Sequence, residues 1–260
     1  MGFEINQLDK WFEVMQLKEY QAQTNTERAR YLDLHVGSST DLSEEFCRTA
    51  LISETSPLPK WYLVRSLGLL KSESAIPDLI SLCLERDVDF GNTSIHLICA
   101  WSLGQLQETA LPFVLEALKA ATNPETRKCL VDALGEIRSP KAIPVLDDAF
   151  RKGDHQTKLW AALSLSKIGK SSLDTLYLLL DQSAHWKDRV FILDAICKIK
   201  DSSSAPVIRN ALYNGTKEEK HFILERCNES FDDSFREPLE LISASDSPEL
   251  SALARKVLAR

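Results

Sequence analysis

The sequence predicts an all-α protein, a right-handed α-solenoid in which short two-helix repeats stack into a superhelix. One observation is a stretch from Leu134 to Phe150 whose pattern recurs along the chain. A second is proline, which falls early in the second half of most copies. A third is the low glycine content, 9 residues in 260, which is too few for the many tight turns of an all-β fold.

The repeat is defined by a small residue that follows an aliphatic residue in each copy. These small residues are 36, 31, 31 and 31 positions apart, and they are Gly68, Gly104, Gly135, Ser166 and Cys197. The first interval is longer because the chain carries an extra stretch around residues 86–92. A fixed period of this size is typical of solenoids, in which each unit buries its apolar side only against its neighbours.

Each unit is predicted to form two helices joined by a short polar turn. In the copy around Leu134, the tiny residue Gly135 on the first helix allows a neighbouring helix to approach closely. Pro144 marks the start of the second helix, because the first turn of a helix does not need the missing N–H. The positions expected to be buried in this pair are Leu130, Ala133, Leu134, Ile137, Val145, Leu146, Ala149 and Phe150.

We expect one continuous domain with three parts. Residues 1–55 are predicted to form an N-terminal capping helix and a divergent first repeat, with helices near 26–36 and 42–53. Residues 56–215 carry five repeats. Residues 216–260 are predicted to form a degenerate repeat and a C-terminal capping helix that begins near Pro248. The apolar residues that mark the N-terminal helix are Ile5, Leu8, Trp11, Phe12 and Met15.

Composition and charge favour a cytoplasmic protein that binds neither nucleic acid nor membrane. The 31 Lys and Arg residues against 38 Asp and Glu give a formal charge of −7, which opposes attraction to a phosphate backbone. The sequence contains no basic leader and no long apolar run. Its 6 cysteines form no Cys-x-x-Cys motif and lie in apolar helical patterns, so we expect them to be small core residues of a reducing compartment.

The best-defined copies resemble the HEAT-like repeats of the phycobilisome (PBS) lyase type. The signature of that family is a Leu-Gly pair, a small polar turn, an Ala-Ile-Pro step and a leucine-rich helix. Leu134-Gly135 with residues 142–144 matches it, and so does Leu67-Gly68 with residues 75–77. The resemblance covers about residues 56–215 and implies the fold, whereas such repeats serve lyase subunits, adaptors and scaffolds alike. The fourth and fifth copies depart from the signature at Ser166, Asp174 and Cys197.

No catalytic residue, metal ligand or cofactor is predicted. None of the five histidines is followed by glutamate, so the His-Glu steps that hold iron in deoxyhypusine hydroxylase, an enzyme built on HEAT-like repeats, are missing. The sequence has neither a phosphate-binding glycine-rich loop nor a Gly-x-Ser-x-Gly motif. Paired acids such as Asp147 and Asp148 are more typical of a solvated helix face than of acid–base catalysis.

Candidate partner-binding residues emerge when the second helices are aligned on their proline position. Because second helices usually line the concave side of HEAT arrays, two columns of this alignment are expected to border a groove. The first column contains Ile80, Leu115, Asp147, Tyr177 and Arg209. The second column, one helical turn further on, contains Leu84, Lys119, Arg151, Asp181 and Tyr213. The alternative is that Ile80, Leu115 and Tyr177 are simply buried between layers.

These observations favour a non-enzymatic protein-binding scaffold or adaptor that uses the groove of a HEAT-repeat solenoid. The resemblance also implies an alternative, a bilin (phycobilin) lyase subunit or chromophore chaperone acting on a phycobiliprotein. Lyases of this kind bind an open-chain tetrapyrrole and guide its attachment to a cysteine of the client. The predicted partner is therefore another protein, which under the alternative carries a bilin.

Overall fold

The computed structural model describes residues 44–53, 57–85, 89–90, 93–226, 233–245 and 247–259. Over these residues the chain is built of α-helices and short 3-10 turns, with one pair of two-residue strands. The prediction of an all-α fold is confirmed. The predicted helix around Ile5 to Met15 and the one near residues 26–36 lie outside the described residues.

The helices alternate between the first and second members of successive pairs. The first helices are α2 (Pro57–Leu69), α4 (Ile95–Gln105), α6 (Pro124–Ile137), α8 (His155–Ile168), α10 (Trp186–Ile199) and α12 (Lys217–Arg226). The second helices are α3 (Ile76–Leu84), α5 (Leu111–Ala120), α7 (Ile143–Lys152), α9 (Leu173–Gln182), α11 (Ala205–Asn214) and α13 (Arg236–Ser243). Helix α1 (Glu44–Ser53) precedes the first pair, and α14 (Pro248–Leu258) follows the last.

A tight turn joins the two helices in each of the first five pairs. One residue in each of these turns has a positive φ, between 50° and 86°, and it precedes or begins a 3-10 turn. A left-handed residue just past the last turn of a helix ends that helix. The second helix then begins with proline at one of its first positions in α3, α5, α7 and α11, as predicted. The positive-φ residues are Lys71, Gln107, Arg138, Gly169 and Lys200, of which Gly169, with ψ −146°, lies outside the left-handed helical conformation.

The extra stretch in the first repeat interval forms a small hairpin between α3 and α4. Its strands are β1 (Asp89–Phe90) and β2 (Thr93–Ser94), which pair antiparallel with Asp89 opposite Ser94. The Ser94 hydroxyl accepts a hydrogen bond of 3.1 Å from the backbone N–H of Leu97 and thereby caps α4. The insertion therefore lengthens one repeat without interrupting the helical series.

The chain divides into two compact units, one ending at Ile137 and the other beginning at Arg138. In the first unit, α4 packs on both α2 and α6. A Cβ added at Gly68 would lie 2.8 Å from the Cα of Ser102, and one added at Gly104 would lie 2.5 Å from the Cβ of Glu136. These distances are too short for carbon atoms, so the predicted role of glycine in close helix approach is confirmed at both positions.

In the second unit, the first helices α8, α10 and α12 and the final helix α14 pack in sequence. A cation near the start of one helix pairs with an acid near the start of the next. Lys158 Nζ lies 2.5 Å from Asp188 Oδ2, and Arg189 Nε lies 2.5 Å from Glu219 Oε1. Arg189 also donates a hydrogen bond of 2.6 Å to the carbonyl of Leu180, near the end of α9. These charged side chains tie successive repeats together.

The buried positions predicted for the pair around Leu134 are confirmed with one exception. Leu130, Ala133, Leu134 and Ile137 of α6 are buried, as are Leu146, Ala149 and Phe150 of α7. Val145 is only half-buried, because it lies near the exposed start of α7, beside the exposed Pro144. The prediction for Val145 was therefore wrong.

The cysteines follow the prediction at four described positions and depart from it at one. Cys47, Cys83, Cys99 and Cys129 are buried thiols. Burial raises the pKa of the Cys129 thiol and the nearby Cys83 raises it further, so Cys129 stays protonated at neutral pH. Cys197 is buried but disulfide-bonded, so the expectation of core thiols throughout is wrong there. Sequence spacing does not show which cysteines the fold brings together.

Candidate partner-binding surface

The first predicted column lies at the border of the core. Ile80 and Leu115 belong to the first unit, and Asp147, Tyr177 and Arg209 belong to the second; every one of these side chains is half-buried. The residue that precedes each of them points inward and is buried in the core. These inward residues are Leu79, Val114, Leu146, Leu176 and Ile208. Ile80, Leu115 and Tyr177, which the alternative places in simple burial between layers, are therefore partly buried and partly exposed.

The second predicted column is exposed at every position. It lies in the last turn of each second helix, and its members are Leu84, Lys119, Arg151, Asp181 and Tyr213. The side chains of Lys119 and Glu116 pair at 3.3 Å on the surface of α5, which is an interaction of adjacent turns on one helix. The second column is therefore available to solvent and to a partner.

Two exposed leucines between the columns were not predicted. Leu178 on α9 is 57% exposed and Leu241 on α13 is 58% exposed. Helix α9 has the sequence LDTLYLLLDQ, in which leucine occupies positions that point outward as well as positions that point inward. Residue type alone could not separate Leu178 from its buried neighbours Leu176 and Leu179.

Arg151 is held in a defined position on the surface of the second unit. Its Nε donates to both carboxylate oxygens of Asp147, at 3.0 and 2.9 Å. Its Nη1 donates to Oε1 of Gln182 on α9 at 2.5 Å. The structure therefore brings Asp147 and Arg151 together, and the guanidinium connects α7 with α9.

The two tyrosines of the columns bond to the following repeat. The Tyr177 hydroxyl and the Ser204 hydroxyl lie 3.1 Å apart. Desolvation and a hydrogen bond to the negatively charged Glu237 raise the pKa of Tyr213, while the Arg209 guanidinium opposes this shift. Tyr213 is therefore protonated at neutral pH and donates to Glu237. Tyr213 of α11 thus contacts Glu237 of α13, and the Arg209 guanidinium lies near the Tyr213 hydroxyl.

We call the predicted column residues of the second unit that make the contacts above, together with the two exposed leucines, the second-helix ridge. The ridge combines arginine and tyrosine with exposed leucine, a composition that favours protein contacts over charged small ligands. It consists of Asp147, Arg151, Tyr177, Leu178, Arg209, Tyr213 and Leu241. Ile80, Leu115 and Lys119 lie in the first unit and are not part of it.

Two negative findings apply to the described residues. Among them, no group of three or more His, Cys, Asp or Glu side chains is arranged to hold a metal ion. None of the described helices is both long enough and apolar enough to cross a membrane.

Comparison with known proteins identifies the repeats. A family model described as HEAT repeats matches residues 89–166. Among solved structures, the chain is similar to the complex of CpcE and CpcF of phycocyanin lyase from Nostoc sp. PCC7120. The two chains share 18% sequence identity over 90% of this chain and 91% of that one, with a TM-score of 0.41. No curated protein matches the sequence. The match over residues 89–166 confirms the HEAT-like pattern predicted from the Leu-Gly and Ala-Ile-Pro steps.

Proposed function

We propose that the chain is a non-enzymatic scaffold or adaptor that binds another protein through the second-helix ridge. The observation that carries this proposal is the pair of leucines, Leu178 and Leu241, that are more than half exposed on helices whose other leucines are buried. Burying exposed apolar surface against a partner is the main favourable term in protein association.

The polar residues of the ridge add specificity to this apolar contact. Arginine and tyrosine are the residue types that most often dominate protein interfaces. Arg151 is already ordered by Asp147 and Gln182, so less conformational entropy is lost when it meets a partner. Ile80, Leu115 and Lys119 extend the proposal to the second helices of the first unit. The proposed partner is a protein, and the proposed location is the cytoplasm.

Affinity capture from the native host's lysate tests this proposal. The intact chain is compared with a Tyr177→Ala/Arg209→Ala variant, and bound proteins are identified by mass spectrometry. The control is Gln156→Ala/Lys198→Ala, which removes one positive charge and one amide from exposed positions on the first helices. We expect a specific partner that binds the intact chain and the control but is lost from the ridge variant.

A Leu178→Ser variant separates loss of binding from loss of folding, because Leu178 is exposed and Tyr177 is half-buried. It is expected to lose the partner while unfolding at the same denaturant concentration as the intact chain. Equal capture by all variants, or turnover of a defined substrate by the purified chain, would contradict the proposal.

The bilin lyase or chromophore-chaperone alternative rests on the resemblance of the repeats. The same capture experiment distinguishes it through the visible absorption spectrum of the eluted material. A co-purifying bilin or phycobiliprotein favours this alternative, and a colourless partner favours the scaffold.

A further inference from the structure

A groove opens on the other row of helices in the second unit. It runs along α12, between the N-terminal turns of α10 and α14, and has a volume of about 360 Å³. We call it the Trp186 groove, and it shares no residue with the second-helix ridge. Its lining residues are Trp186, Val190, Lys217, Glu218, His221, Phe222, Glu225 and Glu249.

The floor of the Trp186 groove is apolar and aromatic. Trp186 is 40% exposed, and Val190 and Phe222 are half-buried beside it. The Nζ of Lys187 lies 5.6 Å from the centre of the Trp186 ring. The indole therefore already makes a cation–π contact within its own chain, because the electron-rich face of tryptophan attracts cations.

The rim of the Trp186 groove is negatively charged. Its three carboxylates, Glu218, Glu225 and Glu249, outnumber the two nearby ammonium groups, Lys217 on the rim and Lys187 over the floor, when histidine is counted as neutral. Glu249 accepts contacts of 3.0 Å from both Lys217 Nζ and His221 Nε2, which join α12 to α14. The rim therefore complements a positively charged occupant and repels a phosphate or an acidic peptide.

The two carboxylates at the helix starts are ionised at neutral pH. Hydrogen bonding and the positive charge of Lys217 lower the pKa of Glu249. Hydrogen bonds from its own backbone N–H and from the Thr216 hydroxyl lower the pKa of Glu218. The negative rim is therefore present throughout the neutral range.

We propose that the Trp186 groove binds an arginine side chain presented by a basic segment of a partner protein. Arginine fits better than lysine, because its planar guanidinium stacks on aromatic rings and donates to two carboxylates at once. The volume lies at the lower end of the roughly 300–1,000 Å³ of ligand pockets, which suits one long side chain better than a folded element. This inference rests on the proposed function, that the chain binds protein, and adds a second contact surface on the first helices.

The test uses the full chain and a defined peptide, acetyl-Gly-Arg-Arg-Gly-amide, in an NMR chemical-shift titration. The matched peptide carries citrulline, which keeps the shape of arginine without its charge. We expect saturable shifts in the backbone amides of residues 186–190, 217–222 and 249. We also expect the citrulline peptide to bind at least about tenfold more weakly.

Variants then locate the binding site. Trp186→Ala removes the aromatic floor and keeps the Lys217–Glu249–His221 contacts, and Glu218→Gln/Glu249→Gln removes two rim charges. Each is expected to weaken arginine-peptide binding at least about tenfold. The charge-matched control is Glu116→Gln/Glu240→Gln, two exposed carboxylates away from the groove, and it should bind as the intact chain does.

Equal binding of the citrulline peptide would overturn the inference, and so would an equal loss in the charge-matched control. The second result would show general attraction to a chain of formal charge −7. The proposed function fails separately. If Tyr177→Ala/Arg209→Ala still captures the partner while the arginine peptide binds the groove, the proposal for the ridge is wrong and the proposal for the groove is supported. If the ridge variant loses the partner and the peptide does not bind, only the groove is wrong.

Discussion

The two rows of helices in the second unit use charged and apolar residues in opposite ways. Between α8, α10 and α12, the Lys158–Asp188 and Arg189–Glu219 pairs are largely withdrawn from solvent, and the Glu219 side chain is only 1% exposed. On the second helices, by contrast, Leu178 and Leu241 are more than half exposed. Paired charges therefore hold α8, α10 and α12 together, whereas exposed leucine on the second helices marks the surface proposed to bind a protein.

The largest effect is expected from breaking the buried charged pair. Glu219→Gln leaves the Arg189 guanidinium without its anionic partner and removes the carboxylate that accepts from the backbone N–H of Thr216. Removing one partner of a buried ion pair costs about 3–5 kcal/mol. A chemical denaturation curve should show this loss in the free energy of unfolding.

The control for that prediction is Glu240→Gln, whose partner Arg236 lies one turn away on the exposed surface of α13. An exposed pair of this kind contributes about 0.3–0.5 kcal/mol. Similar losses from both variants would mean that the charges between the first helices are not structural.

A second prediction compares two leucines on one helix. Leu176 is 0% exposed and Leu178 is largely exposed, although only one residue separates them on α9. Leu176→Ala should cost about 2–5 kcal/mol, because it leaves a cavity between the helices. Leu178→Ala should change the free energy of unfolding by no more than about 0.5 kcal/mol. Thermal or urea melts of the two variants measure the difference, and equal costs would contradict the assignment of faces.

A smaller effect is expected in the turns that join the two rows. Lys200 has φ 55° and ψ 35°, a left-handed conformation that costs a residue with a Cβ about 1 kcal/mol. Lys200→Gly should therefore raise the free energy of unfolding by about 0.5 kcal/mol, part of the gain being offset by the flexibility of glycine in the unfolded chain. Lys198→Gly, inside α10, should instead lower it by about 1 kcal/mol. A loss of stability in Lys200→Gly would show that contacts of the lysine side chain stabilise the turn by more than its left-handed conformation costs.

The smallest effect is a pH dependence at Asp201 in the same turn. Hydrogen bonds from the Ser203 hydroxyl and backbone N–H, with help from Lys170, lower the pKa of Asp201 to about 2. A lowered folded-state pKa contributes stability that is present above the unfolded pKa of about 4 and is lost as pH falls towards 2. The acid limb of a stability–pH curve should therefore be shallower in Asp201→Asn than in the intact chain. Identical limbs would show that the capping contact has no role in stability.

The sequence predicted the helix pairs well because their period of about 31 residues is a property of the chain itself. Gly68 and Gly104 could also be interpreted from the sequence, because a glycine inside a helix leaves room for a neighbouring helix to pack closely. The positive-φ turn residues were missed because four of the five are lysine, glutamine or arginine, which carry no signal for positive φ.

The candidate surfaces were harder to predict, because they depend on where each side chain points and on which helices the fold brings together. Leu178 lies in a run of leucines, so only the structure shows that it points outward. The Trp186 groove takes its lining from helices that begin near residues 186, 217 and 248, and no local motif links them. The columns could be predicted because they recur from repeat to repeat, whereas the lining of the groove does not recur.

Site-specific photo-crosslinking tests the central claim, that the second-helix ridge contacts a protein partner, most directly. The photoreactive residue p-benzoylphenylalanine is placed at Leu178 on the ridge and, in a separate variant, at Gln156, an exposed position on α8. Our account predicts one specific protein adduct at Leu178 and none at Gln156, identified by mass spectrometry after irradiation in the native host. An adduct of equal yield at Gln156, or none at Leu178 while the chain still captures its partner, would contradict the claim.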